Sequence, residues 1–188
     1  LMVVGPEFEY QMQRVGSIAG SNDKQLQQLT DTAERLGGTT QFTASQVGEA
    51  FEYMAMAGYD TEEMLASIDD TLNLAKIAGT DLGTVSDIVT DGLTSMGMSA
   101  ADTGEFVDKL TATITSSNTT VELFGTTMKN VGSLAGSLGI SMTDLSTAIG
   151  VMANAGTKGR RAGTSLKNVL ANMANPTDKQ AVALRKLG

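Results

Sequence analysis

Cysteine and histidine are both missing from this 188-residue chain. Without cysteine there is no disulfide framework and no thiolate nucleophile, and without histidine there is no Ser/His or Cys/His relay. The usual ligand sets of zinc need one or both of these residues. Catalysis would depend on carboxylates, lysine and hydroxyls, and the carboxylates fall on helix faces expected to be solvated. The sequence therefore predicts no enzyme, no catalytic residues, no metal site and no cofactor.

Tryptophan is absent too, and there are 2 prolines and 5 phenylalanines beside 21 glycines. Few segments alternate β-branched or aromatic residues with polar ones, so no strand is expected. The opening LMVVGPEF is too short for a signal peptide and lacks a basic flank. Because the chain begins with Leu1, we expect a fragment of a longer protein, in which the first residues could come from a vector.

The charge is distributed unevenly along the chain. Residues 1–156 contain 6 basic and 20 acidic residues, a net charge of −14, whereas residues 157–188 contain 7 basic residues and Asp178, a net charge of +6. The acidic body argues against nucleic-acid binding, and no specific nucleic-acid partner is expected. The basic end could contact phosphate, anionic lipid or an acidic protein surface.

Amphipathic helices dominate the hydrophobic pattern. Between Gly58 and Gly97 two apolar stripes recur at three- to four-residue spacing, with acidic residues on the opposite side of the first. Asp81 is the predicted N-cap of the second helix. Similar start signals, a capping residue with a partner three residues later, occur at Thr43/Gln46, Asp60/Glu63, Ser99/Asp102, Thr119/Glu122 and Ser141/Asp144.

Residues that tolerate positive φ follow the apolar runs at nearly regular intervals of 17 to 21 residues, and they predict helix ends: Gly37, Gly58, Gly79, Gly97, Asn118, Gly139 and Gly156. The span 37–97 and the span 97–156 match in several positions, which favours a degenerate duplication of a three-helix unit. The alternative is that helices of ordinary length often end in glycine. We predict an all-α fold, a compact bundle of about eight to ten short helices.

Three glycines, Gly125, Gly132 and Gly136, interrupt one predicted helix at a cost of about 1 kcal/mol each. One interpretation is that a neighbouring helix crosses closely at Gly132 and Gly136. The other is a deliberately weak helix that rearranges or enters a membrane, because residues 131–156 carry a single charge, Asp144. The apolar pieces are too short for a constitutive span of about 20 residues, which leaves conditional insertion open.

The segment GTKGRRAGTSL places Lys158, Arg160 and Arg161 at a predicted helix start, where the helix dipole disfavours basic residues. They are our candidates for partner contact. The alternatives are a solvated basic turn, a contact with the acidic body, and a phosphate-binding loop, although the Walker spacing is missing. Seven methionines on apolar stripes are predicted to fill the core: Met54, Met64, Met96, Met128, Met142, Met152 and Met173.

From about Phe8 to Leu170 the chain resembles the core region of phage tail tape measure proteins, most specifically in LAKIAGTDL, SSNTTVE and ANAGTKGRRAGTSL. The resemblance implies a virion tail component, assembled in the bacterial cytoplasm, from a family that sets tail length, occupies the tail tube and helps DNA to cross the host envelope. Implied partners are tail tube, tail tip and tail assembly chaperone proteins, with self-association and transient host membrane contact as further interactions.

On this basis we divide the chain into N-terminal helices at 1–36, a core helical domain at 37–175, and a basic C-terminal helix at 176–188 that leads to the rest of the parent chain. A ruler needs length in proportion to residue number, as one unbroken helix provides. The frequent breaks predict instead that this segment folds back on itself and serves assembly, docking or delivery. A membrane-active domain that assists DNA passage is the alternative function, and a wall hydrolase is a third.

Overall fold

The computed structural model describes residues 5–176, and they contain α-helices, one 3₁₀ turn at Ala100–Asp102 and no strand. The all-α prediction is confirmed. The helices are α1 Pro6–Ala19, α2 Asp23–Thr39, α3 Ala44–Met56, α4 Thr61–Ala78, α5 Leu82–Met96, α6 Thr103–Ser116, α7 Val121–Ser137, α8 Met142–Asn154 and α9 Gly159–Ala174.

Local side-chain signals fix where most of these helices begin. Thr43 and Asp60 form reciprocal capping boxes at the starts of α3 and α4, and Asp81 and Ser141 accept backbone N–H groups at the starts of α5 and α8. Each cap satisfies an N–H group that has no partner within its helix. The prediction at Thr119 was off by one residue, because the hydroxyl of the next residue accepts the bond that caps α7.

Left-handed glycines follow the C-terminal ends of six helices, and Gly20 after α1 is the one that the sequence analysis did not predict. Gly58, Gly79, Gly97, Gly139 and Gly156 all have positive φ and follow α3, α4, α5, α7 and α8 in turn. Glycine adopts this conformation without a Cβ clash, which allows the chain to reverse in a short turn.

One predicted helix end was misplaced, and another lies where expected but has a different backbone conformation. Gly37 lies inside α2, where a Cβ would overlap the backbone of Ala44, so this glycine permits close approach of two helices rather than a left-handed turn. Asn118 does not have positive φ, since within residues 5–176 that conformation occurs at glycine alone. After α6 the extended residue Ser117 ends the helix, and the Asn118 N–H donates to Oδ1 of Asn154 at 2.8 Å.

The helices form two layers in which each helix packs against the helix two places along the chain. α1, α3, α5, α7 and α9 form the odd layer, and α2, α4, α6 and α8 form the even layer. Short turns join the layers at both edges. This alternation is the arrangement of α-solenoids, in which each repeat contacts mainly its neighbours.

The packing unit is therefore a helix pair. Successive left-handed glycines on one edge are Gly20, Gly58, Gly97 and Gly139, at intervals of 38, 39 and 42 residues. The interval of about 60 residues that suggested a three-helix duplication carries α3 onto α6, which lies in the other layer. The three-helix unit is thus not a unit of packing, because an odd shift exchanges the layers.

Glycines on α7 face α5, as the first interpretation of this helix predicts. A Cβ on Gly132 would overlap the side chain of Ser95, and one on Gly136 would lie 2.7 Å from the carbonyl oxygen of Met96. Gly125 is covered by Ile88 in the same way. The cost of glycine inside a helix is offset by the close approach of two helices.

The core lies between the two layers and extends along the stack from Phe8 to Ile149. Five of the seven methionines predicted for the core are buried, and Met152 is half-buried. Met173 is 58% exposed, so its assignment to the core was wrong. It lies on α9, the last helix of the odd layer, where no further helix of the described region covers it.

The boundary that we predicted between residues 36 and 37 falls inside α2. Along 37–174 the helices follow one another in the same two layers. The predicted basic helix at 176–188 lies outside the described residues, apart from Pro176.

Candidate interaction surface

The basic turn of Lys158, Arg160 and Arg161 lies at the start of α9. Lys158 is the N-cap residue with an extended backbone, and its side chain makes no capping hydrogen bond. It is half-buried, whereas Arg160 and Arg161 are exposed. The turn thus presents two guanidinium groups to solvent at the end of a helix whose dipole does not favour them.

Packing against α7 holds this turn in place. The Thr127 hydroxyl is 2.9 Å from the carbonyl oxygen of Leu123 and 3.1 Å from that of Gly159, and it donates to both. Gly159 has a φ of 57°, and a Cβ there would be tight against Leu123. One turn later, a Cβ on Gly163 would lie 2.6 Å from Cβ of Asn130. Close helix contact therefore fixes the basic residues where their charges are unfavourable.

The basic turn has no acidic neighbour within its own segment. Residues 157–176 contain four basic residues and no acidic residue. The ion pairs found within residues 5–176 involve Arg14 and Lys129 but none of the three basic residues of the turn. An ion pair with the acidic body is therefore not formed within the described residues. A partner site remains our prediction for the turn, with a solvated turn and a phosphate-binding loop as the alternatives.

Next to the basic turn, the outer part of α9 exposes apolar side chains. Val169 is 53% exposed and Met173 is 58% exposed, while Leu166 is partly buried against the core. We call Leu166, Val169 and Met173 the open face of α9. The sequence pattern places these residues on one stripe, but exposure depends on which helices follow.

Across the rest of the odd layer the exposed charges are mostly acidic and partly paired. Arg14 Nη2 lies 2.8 Å from Glu52 Oε1, and Lys129 Nζ lies 3.2 Å from Asp87 and 3.0 Å from Asp91. These two carboxylates, Asp91 first, raise the pKa of Lys129. Pairs of this exposure contribute at most about 1 kcal/mol, so they orient side chains more than they hold the layer together.

Glu49 on α3 carries the least favourable charge of this surface. Partial burial, then the charges of Asp81 and Glu52, raise the pKa of its carboxyl group. Gly83 on α5 makes room for it, since a Cβ there would lie 2.8 Å from the carboxyl carbon. A carboxyl group with a raised pKa is a candidate catalytic acid or base when it lies in a cleft beside a second catalytic group. Glu49 lies instead where α3 packs against α5.

Polar contacts between turns tie neighbouring repeats together. Thr80 donates to Glu122 at 2.7 Å along one edge, and Ser21 and Thr61 share a hydrogen bond of 2.8 Å along the other. The hydroxyls of Thr120 and then Thr80 lower the pKa of Glu122. These pairs are about 40 residues apart in the sequence, and no local pattern signals them.

Within residues 5–176 no group of acidic residues is arranged to hold a metal ion. Over the same range no helix has both the length and the apolar character needed to span a membrane.

A family model described as "Phage-related minor tail protein" matches residues 30–188. The chain belongs to this family. It is also 32% identical over 185 residues to "Tape measure protein" of Pneumococcus phage Dp-1, an alignment that covers 98% of the chain and 16% of that relative. The resemblance predicted from the sequence is confirmed. No solved structure matches this member of the minor tail protein family significantly.

The chain therefore spans about one sixth of the length of this curated relative. Most of the relative's length lies beyond the region that aligns with the helical stack. The family is one of phage tail components, while the basic turn and the open face of α9 are features that its description does not address.

Proposed function

We propose that this stack of helices is a structural domain of a tail tape measure protein, which acts as a whole in tail assembly, length determination and genome delivery, and that the domain contributes by binding other tail proteins. The observation that carries the proposal is the folding back of short helices into two layers. The longest described helix, α4, has 18 residues and so a length of about 27 Å.

A stack of this kind does not measure length well. One unbroken helix of the whole chain would be about 280 Å long, at about 1.5 Å per residue. In the stack, each added helix pair of about 40 residues lengthens the structure by only about 10 Å, the usual distance between packed helices. We infer that length is measured elsewhere in the longer parent protein and that this segment provides a docking unit.

The role is non-catalytic on this proposal. The titratable groups with shifted pKa values lie at helix contacts, caps and turns, where they stabilise or destabilise packing. The partners on this proposal are tail tube, tail tip or assembly chaperone proteins. Because the basic turn is exposed, we expect it to bind an acidic surface on one of them.

Small-angle X-ray scattering of the isolated chain tests the division of labour. A folded chain of this length has a radius of gyration of about 16 Å, against about 80 Å for a single helical rod. We expect a value near the lower limit. A value near the upper one would show that the segment is itself extended, and it would refute the docking role.

A further inference from the structure

The odd helices α3, α5 and α7 bury the positions that α9 leaves open. The eighth residue after the N-cap is Phe51 in α3, Val89 in α5 and Met128 in α7, with exposures of 0%, 1% and 2%. In α9 the eighth residue is Leu166, which is only partly buried.

The next turns of the helix show a larger difference. At the eleventh position Met54 of α3 is 1% exposed and Val131 of α7 is 0% exposed, whereas Val169 of α9 is 53% exposed. At the fifteenth position Ala135 of α7 is 0% exposed and Met173 of α9 is 58% exposed. The open face of α9 thus repeats the apolar character of a face that is buried in α3, α5 and α7.

In the middle of the stack, the even helix that follows covers this face. In α5 the eleventh position is Gly92, and the ring of Phe106 on α6 lies directly over it. Among the described residues, α9 is the one odd helix with no even helix after it. Its open face is therefore continuous with an interface that the stack already forms between its two layers.

Charge indicates what kind of helix fits there. Residues 157–176 have a net charge of +4, with no carboxylate, and the two arginines of the basic turn are exposed. A second copy of α9 would bring the same charge against it, and residues 177–188 add three basic residues and one acidic residue. The even helix α4, in contrast, carries exposed carboxylates on the side opposite its apolar stripe.

We propose that the open face of α9 binds an acidic amphipathic helix of a partner segment, which extends the even layer by one helix. Its apolar stripe covers Val169 and Met173, and its net negative charge is attracted by the net charge of +4 on residues 157–176. This binding follows from the packing and charge of α9, and it does not depend on the role proposed for the protein in the tail.

The chain itself supplies a probe of this chemistry. Residues 60–79, which form α4 and its caps, contain five acidic residues and Lys76, a net charge of −4. A hydrocarbon-stapled, fluorescent peptide of this sequence, titrated with the full chain, should give saturable binding by fluorescence anisotropy. The double variant Val169→Ser/Met173→Ser should weaken it about 10-fold or more, because two apolar contacts are lost.

A matched control uses the same residue types at other exposed positions. Val151 is 64% exposed on α8 and Met56 is 54% exposed at the end of α3. The variant Val151→Ser/Met56→Ser should leave the affinity unchanged, and a scrambled peptide of equal composition should not bind. No saturable binding up to about 1 mM, or equal weakening by both double variants, would overturn the proposal. A third result would also overturn it: Arg160→Ala/Arg161→Ala abolishes binding while Val169→Ser/Met173→Ser binds the peptide normally. Charge alone would then explain the binding.

Discussion

The ring of Phe106 on α6 occupies the space above Gly92 on α5, where a side chain would otherwise stand. Both residues are buried, and α5 is the middle helix of the odd layer. The two layers approach closely at this point because the helix has no Cβ there. Glycine lowers the helix propensity of α5, but here it also allows the two layers to pack close together.

We expect Gly92→Ala to destabilise the chain by about 1–3 kcal/mol, because overpacking against the aromatic ring exceeds the gain in helix propensity. Urea unfolding followed by circular dichroism measures the difference. Gly38→Ala is the matched control, since Gly38 lies in α2 with open space around its Cα, and it should stabilise by about 0.5–1 kcal/mol. Equal effects of the two substitutions would contradict the role given to the Phe106 contact.

A second prediction concerns the attachment of α9. Gly163→Ala would place a Cβ against Asn130 and against the carbonyl oxygen of Thr127, both on α7. We expect α9 to loosen while the rest of the stack stays folded, because α9 is the terminal helix of its layer. Hydrogen exchange should then rise at least about tenfold in α9, with little change in α3 and α5. Thr164→Ala, at an exposed position next to it, should leave exchange unchanged, and a uniform rise across all helices would count against this interpretation.

A third prediction follows from the raised pKa of Glu49. A carboxyl group whose pKa is raised by folding destabilises the folded state when it is ionised, and this penalty disappears as the pH falls below its ordinary value of 4.5. We therefore expect Glu49→Gln to be more stable than the unmodified chain at pH 7 and to lose that advantage below about pH 4. Thermal unfolding across this range is the measurement, with Glu62→Gln, an exposed carboxylate on α4, as the control. Destabilisation by Glu49→Gln at pH 7 would show that the pKa is not raised.

The fourth prediction tests the basic turn in the tail. Replacing Lys158, Arg160 and Arg161 by alanine should leave helicity intact, because none of them caps a helix through its side chain or forms an ion pair within residues 5–176. In a phage that carries this segment, we expect fewer complete tails by electron microscopy. Lys24→Ala/Arg35→Ala/Lys76→Ala removes the same charge from exposed sites on α2 and α4 and should assemble normally. If both triple variants assembled equally well, the basic turn would be a solvated turn without a partner in the tail.

Helix positions could be predicted because they depend on local chemistry. The side chains of Asp60 and Glu63 each accept the backbone N–H of the other residue, whatever the rest of the chain does. Gly79 allows a left-handed turn because it has no Cβ, which is also a local property. Gly37 shows the limit of this reasoning. Its sequence context is that of a helix end, yet the close approach of α3 makes it a packing glycine inside α2.

The candidate surface was predictable only in part. The run Lys158 to Arg161 is visible in the sequence as a cluster of charge, and it lies at a helix start as expected. The exposure of Val169 and Met173 was not predictable, because their apolar stripe is the same as that of a buried helix. Whether such a stripe is covered depends on the helices that neighbour it in space.

By itself, the sequence determined that this protein is made of short amphipathic helices without cysteine or histidine chemistry, because caps, glycines and apolar periodicity act within a few residues. Only the tertiary structure decided that helix pairs, and not groups of three, are the repeating unit. That choice depends on contacts such as Gly132 with Ser95 and Phe106 with Gly92, in which the absence of a side chain on one helix admits another. The sequence shows the same residue, glycine, whether its missing Cβ allows the backbone to turn or makes room for a neighbouring helix.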